Sequence, residues 1–274
     1  MTLQKKIESF DGKFDIDQSN INSLFWADDL ILLAKTEEHL KTLLKTLEEY
    51  CHENNLEINI KKTKCMIFNK TGRLIRRSFH INGTQLENVR SYKYLGFKLT
   101  PSGEIRSGLQ DLRDRGFKAF MKLKSTLGIA FNQDIMTSLL LIDTLIKPIL
   151  LYASDFWGCL KLPPCNPIEN LHMMMCKQIL GVQKQTTNIG VLLELGRVPL
   201  SLYAKKLAIK NWERAKRGRA NCVLQASYKD SIRENLPWTN GVKSILEKNG
   251  MLNFYINDYT SIPPFISKRA FGRL

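Results

Sequence analysis

Residues 21–34 read INSLFWADDLILLA: two short apolar runs, rich in Ile, Leu and aromatics, on either side of Asp28 and Asp29. Each run has the length of a strand, and the polar pair between them marks a reversal. The stretch therefore predicts a β-hairpin with two acids at its turn. Neighbouring carboxylates at such a turn repel one another and gain no partner from the turn itself. Two readings stay open. Either a divalent cation holds them, since Mg²⁺ prefers carboxylate and substrate phosphate oxygens, or they form a solvated Asp-Asp turn.

Downstream, residues 36–55 predict a helix. Thr36 suits the N-cap, and Glu37 and Glu38 suit the positive end of the dipole. Leu40, Leu43, Leu44, Leu47 and Cys51 follow the spacing of one buried face. Leu56, Ile58 and Ile60 alternate as in a half-buried strand. After a basic turn at Lys61 and Lys62, residues 65–68 read as another strand. Asn82 and Gly83 signal a hairpin turn, and 92–99 read as a further strand closed by Pro101-Ser102-Gly103.

From residue 104 the period becomes helical. Ile105, Leu109, Leu112, Phe120, Leu123 and Leu127 share a stripe, and a broadly apolar helix is expected over 132–152, kinked or split by Pro148. Helices follow at 167–180, 187–195 and 199–217. The Pro-rich stretch 162–167 is the boundary candidate. The fold class is α+β: a partial sheet of β-hairpin, helix and further strands over 1–103, then all-α regions at 104–160 and 161–274.

The 274 residues suit one large or two modest domains, and the apolar stretch 136–152 is broken by Asp143 and Lys147. That excludes a membrane span, which needs roughly 18 unbroken apolar residues. The N-terminal MTLQKKIESFDGKFD lacks the apolar core of a secretory signal. The net charge is +15 and the pI about 9.6. Residues 1–104 carry 16 Lys+Arg against 14 Asp+Glu, and the remainder 25 against 12. The basic excess thus sits in the second part, which favours a polyanion, chiefly nucleic acid, over a merely soluble basic surface. Lys118, Lys122 and Lys124 form one cluster. Lys205, Lys206, Lys210, Arg214, Lys216, Arg217 and Arg219 form a denser one. Trp212 and Tyr203 either stack on bases or pack in the core. The six cysteines read as reduced thiols of an intracellular protein. A zinc set of Cys159, Cys165, His172 and Cys176 fits no standard finger.

Taken in order, these motifs resemble the reverse transcriptases of LINE-type, non-LTR retrotransposons. Phe25-Trp26-Ala27-Asp28-Asp29 resembles the family's aromatic-Ala-Asp-Asp hairpin, with Trp26 where Phe or Tyr is usual. Leu56-Glu57-Ile58-Asn59-Ile60, then Lys61-Lys62-Thr63-Lys64, resembles its Asn-bearing strand and Lys-Thr-Lys turn. Tyr92-Lys93-Tyr94-Leu95-Gly96-Phe97 resembles its Tyr-Leu-Gly strand. Residues 147–157, 168–182 and 186–200 also recur in such elements, so the resemblance covers roughly 16–215.

The resemblance implies the C-terminal part of such an enzyme: the second half of the palm (1–103), a thumb-like part (104–160) and a basic helical region (161–274). It implies that Asp28 and Asp29 are catalytic ligands of Mg²⁺ or Mn²⁺, with Asp28 the better ligand. Lys62 would lie near the incoming nucleotide, and Tyr94, Leu95 and Gly96 would position the primer's 3′ end. For Lys62 a solvated basic turn, and for Tyr94 ordinary strand core, remain alternatives. The basic residues Lys118, Lys122, Lys124, Lys205, Lys206, Lys210, Arg214 and Arg217 would hold an RNA template and DNA primer, in the nucleus or a cytoplasmic ribonucleoprotein. The family bears another metal-binding Asp and fingers upstream, and 27 residues precede Asp28 here. Asp11, Asp15 and Asp17 belong to the approach or first strand of the hairpin, so the chain is expected to be inactive alone. A non-catalytic nucleic-acid-binding module and a non-functional remnant are the alternatives.

Overall fold

The computed structural model describes residues 3–8, 15–16, 19–128, 134–217 and 222–256. The chain divides into two compact units. The first comprises Met1–Tyr92, Thr100–Gly103 and Ala220–Arg233, the second Lys93–Leu99, Glu104–Arg219 and Glu234–Leu274. The class is α+β, as the order of elements predicts.

In the first unit α1 (Leu3–Glu8) precedes β1 (Asp15–Ile16) and β2 (Ser19–Asn20), an antiparallel pair. Asp15 thus lies in a ladder of its own, not in the strand entering the acidic hairpin, and Asp11 and Asp17 lie outside the described residues. β3 (Ser23–Trp26) and β4 (Asp29–Leu32) form the expected hairpin. α2 (Glu37–Glu53) starts where its cap dictates: the Thr36 hydroxyl accepts the His39 N–H at 3.2 Å. Leu43, Leu44, Leu47 and Cys51 on it are buried, and Leu44, with half-buried Leu40, packs into a core of Cys65, Phe79, Ile81 and Leu86. Fully buried Ile7 and a 2.9 Å Lys6–Glu53 ion pair tie α1 to α2.

β5 (Lys64–Cys65) pairs in parallel with β8 (Glu87–Asn88). Between them β6 (His80–Ile81) and β7 (Thr84–Gln85) close over Asn82 and Gly83, both at positive φ, as a type I′ loop requires. Glu48 on α2 accepts the Asn82 N–H and fixes that tip. Two expectations change. Residues 56–60 are not a strand, because no described strand pairs with them and alternation without a ladder makes none. Ile58 and Ile60 nevertheless pack against the core. The stretch 65–68 is strand only at β5. Among the described residues strands pair only in twos, so the partial sheet is a set of short ladders.

The stretch 92–99 is a hairpin, not one strand. β9 (Tyr92–Tyr94) and β10 (Phe97–Leu99) pair across a reversal at Leu95 and Gly96. The second unit continues with α3 (Arg106–Leu127) and α4 (Ile135–Leu141). A π turn (Ile142–Ile146) follows and leads into α5 (Lys147–Leu150). Pro148 splits the expected long helix: it has no N–H for a helical bond, and just before it the Lys147 N–H reaches back to the Ile142 carbonyl in the wider π pattern.

Next come α6 (Ser154–Trp157), α7 (Pro167–Leu180), α8 (Asn188–Glu194) and α9 (Leu200–Lys216). α10 (Cys222–Arg233) belongs to the first unit, while α11 (Pro237–Lys248) and α12 (Asn253–Ile256) belong to the second. One core runs from Phe97 through Leu112, Phe120, Trp157 and Leu171 to Ala204. It therefore continues across the Pro-rich stretch 162–167. Among the described residues no helix is long and apolar enough to cross a membrane.

Candidate active site and nucleic-acid interface

The register of the acidic hairpin pairs Trp26 with Asp29 and leaves Ala27 and Asp28 as a two-residue loop. Ala27 adopts φ 52°, the left-handed conformation such loops demand. An L-residue with a Cβ gives up about 1–2 kcal/mol there, a strain that persists only where the flanking strands impose it. The Leu33 N–H donates to the Asn22 carbonyl at 2.8 Å and extends the ladder toward buried Ile21 and Asn22. Asp28 thus stands at the tip and Asp29 opens the return strand, both exposed. Trp26 beside them is 65% exposed.

Hard carboxylate oxygens on a short rigid turn are the right donors for Mg²⁺, which commonly takes one or two carboxylates and completes its shell with phosphates and water. Among the described residues no group of three His, Cys, Asp or Glu gathers there or elsewhere. The donor chemistry of these two carboxylates fits such an ion.

Lys62 is exposed on a turn in the same unit. Asn59, expected in the Asn-bearing strand, instead builds that turn. Its side-chain oxygen accepts the Lys62 N–H at 3.1 Å, and its carbonyl takes the Thr63 N–H and hydroxyl, both at 2.9 Å. An Asn three residues before a lysine is the signal that could have found it.

Tyr94, Leu95 and Gly96 fall in the second unit. Leu95 (φ 44°) and Gly96 (φ 83°) form the two-residue reversal between β9 and β10. A Cβ on Gly96 would lie 3.4 Å from the Tyr152 ring, and its φ favours glycine on its own. The Leu95 carbonyl accepts the Tyr152 hydroxyl, and the Gly96 carbonyl accepts Arg115 Nη2 at 2.7 Å. Arg115 and Tyr152 carry no sequence signal for these roles.

The basic residues are not one cluster. Lys118 and Lys122, four apart on α3, are both exposed, whereas Lys124 bonds Gln178 at 3.3 Å. On α9, Lys206, Lys210, Arg214 and, just past its end, Arg217 share one stripe by helical spacing. Lys205 lies off that stripe, where its charge acts on the thiol of Cys159. Burial pushes that thiol up to about 12, and Lys205 pulls it the other way. Lys216 donates to the carbonyls of Phe254 and Tyr255 at 2.7 and 2.8 Å, and Arg219 lies outside the described residues. Trp212 is fully buried, and Lys147 Nζ sits 3.4 Å over the Tyr203 ring, so both aromatics are spoken for within the fold.

The block 168–200 carries a buried polar network. Glu169 on α7 accepts the Leu200 and Ser201 N–H groups at 3.3 and 3.0 Å, capping α9, and meets His172 Nδ1 at 3.3 Å. Burial of His172 disfavours its charge, but Cys176 and Glu169 outweigh it and push the imidazole up to about 9. Burial would raise Glu169, but His172 and the capping N–H groups hold it below the usual carboxylate range. Arg197 grips Asp143 with both Nη atoms, at 2.6 and 2.8 Å, and so locks the π turn. Cys159, Cys165, His172 and Cys176 do not assemble into a metal set. Cys165 is exposed and takes the Asn170 side-chain N–H, while Cys176 is buried beside His172.

Residues 1–99 match the family model described as reverse transcriptase (RNA-dependent DNA polymerase). The chain is 29% identical over 147 residues to an uncharacterized transposon-derived protein of Caenorhabditis elegans, across 52% of this chain and 50% of that protein. It therefore spans about half the length of the curated relative it matches. No solved structure matches.

Proposed function

We propose that this chain, whose residues 1–99 match the reverse transcriptase family, is part of the RNA-directed DNA polymerase of a LINE-like, non-LTR retrotransposon and acts on an RNA template paired to a DNA primer. The observation that carries the reading is the strained hairpin that presents Asp28 and Asp29 to solvent within the matched residues.

In this reading residues 1–103 are palm, 104–160 thumb, and 161–274 a basic helical region working in a nuclear or cytoplasmic ribonucleoprotein. Asp28 ligates Mg²⁺ or Mn²⁺, with Asp29 as its supporting acid. Bound there, the ions supply the activation and charge neutralisation of two-metal nucleotidyl transfer. Lys62 offsets charge near the incoming nucleotide. Tyr94, Leu95 and Gly96 hold the primer end. Lys118, Lys122 and the α9 stripe of Lys206, Lys210, Arg214 and Arg217 grip phosphates without reading sequence. Among the described residues no third ligand joins these two acids, so transfer would depend on a further donor, and the chain by itself is expected to bind duplex without extending it.

A non-catalytic nucleic-acid-binding module is the second reading. It is favoured by the lack of a third ligand beside the two acids among the described residues. Both readings require the protein to neutralise phosphates. For an RNA–DNA duplex, log Kobs should fall linearly with log salt, and Lys206→Ala with Lys210→Ala should flatten the slope by roughly 0.9 for each phosphate no longer neutralised. A flat plot for the wild type would overturn both.

A further inference from the structure

The hairpin tip at Leu95 and Gly96 has its peptide carbonyls capped by side chains from two other segments of the second unit. Tyr152, just after α5, donates its hydroxyl to the Leu95 carbonyl. Arg115, from the middle of α3, donates Nη2 to the Gly96 carbonyl at 2.7 Å. These side chains are themselves held. Asp111 ion-pairs with Arg115 Nε at 3.1 Å and with Lys93 Nζ, on β9, at 3.0 Å. Fully buried Trp157 donates its indole N–H to the Tyr152 carbonyl at 2.8 Å. The Arg115 guanidinium lies 5.9 Å from the Tyr152 ring centre.

The chemistry of this arrangement is specific. A leucine at positive φ is strained, and a hairpin tip normally leaves its carbonyls to water. Here each accepts a side-chain donor, one of them cationic. Exposed carbonyl oxygens repel a phosphate, and capping them with a hydroxyl and a guanidinium removes that repulsion while fixing the direction of the tip.

We propose that Arg115 and Tyr152 are positioning residues for the primer's terminal nucleotide: they lock the Leu95 and Gly96 reversal and make it tolerant of the terminal phosphate. This rests on the reading of that reversal as the place where the primer end sits. Neither side chain takes part in the chemistry. Each acts through the backbone it caps.

The test uses the full chain with an RNA template and a DNA primer ending in 4-thiothymidine, photocrosslinked and mapped by mass spectrometry. Wild type should crosslink within residues 92–99. Arg115→Ala and Tyr152→Phe should lower that yield by about tenfold, the equivalent of one hydrogen bond to a charged or strained partner, while duplex affinity, set by the phosphate-binding lysines and arginines, is retained. Arg115→Lys should restore part of the yield. Tyr152→Phe removes a single oxygen and keeps the test open where Arg115→Ala loosens α3. Equal crosslinking in wild type and variants, or a loss of affinity that matches the loss of crosslink, overturns the positioning role and leaves the primer site standing. A wild-type crosslink that maps elsewhere overturns the primer site itself.

Discussion

At His172 burial and pairing pull in opposite directions, and pairing wins. Its pKa stands at about 9 against an ordinary 6.5. A group whose folded pKa is raised stabilises the fold fully below the unfolded value and loses that contribution as pH rises through the folded one. Wild-type Tm should therefore decline between pH 6.5 and 9, and His172→Gln should have a lower Tm at pH 6.5 and a shallower decline, followed by circular dichroism. Parallel curves for the two proteins would refute the pairing. Single residues differ in how readable they are. Asp28 at a turn is legible because a hairpin signal is local. Arg115 and Tyr152 are not, because they meet their carbonyls across 19 and 57 residues of chain, and no spacing rule reaches that far. Glu169 and His172 pair at the local i,i+3 spacing of one helix, but Glu169 caps Ser201 across 32 residues and Arg197 clamps Asp143 across 54, which only packing decides.

Among elements, α2 is legible from end to end, since its cap, first-turn acids and apolar stripe all agree. The stretch 92–99 misleads because Leu95 holds a positive φ that sequence assigns to Asn, Asp or Gly. Residues 56–60 alternate, but a strand is a property of two chains and their partner is missing among the described residues. Helix packing also rests on residues that carry no pattern. A Cβ on Gly158, which closes α6, would lie 2.2 Å from the Ala204 carbonyl oxygen on α9, where backbone cannot yield cheaply. Gly158→Ala should cost about 1–3 kcal/mol or more, in the manner of an overpacked core. Denaturant unfolding would show it as a lowered midpoint, and an unchanged midpoint would mean that α6 and α9 do not approach this closely.

At the scale of the molecule, the charge asymmetry is readable by counting. The division into units is not. α10 groups with the first unit although it follows most of the second in sequence, and the core around Trp157 and Leu171 continues across the prolines of 162–167. Such groupings come from burial of apolar faces over long separations, which local punctuation does not encode. What the whole molecule is for turns on whether the acids of the first unit take up a divalent ion when nucleic acid is bound. The direct measurement is a Mn²⁺ titration of the full chain in the presence of an RNA–DNA primer–template, with free ion followed by electron paramagnetic resonance, and Asp28→Asn run alongside. Wild type should take up Mn²⁺ that Asp28→Asn, still bound to the duplex, does not. Equal uptake by the two proteins, or none by either, would contradict a polymerase reading and leave a nucleic-acid-binding module.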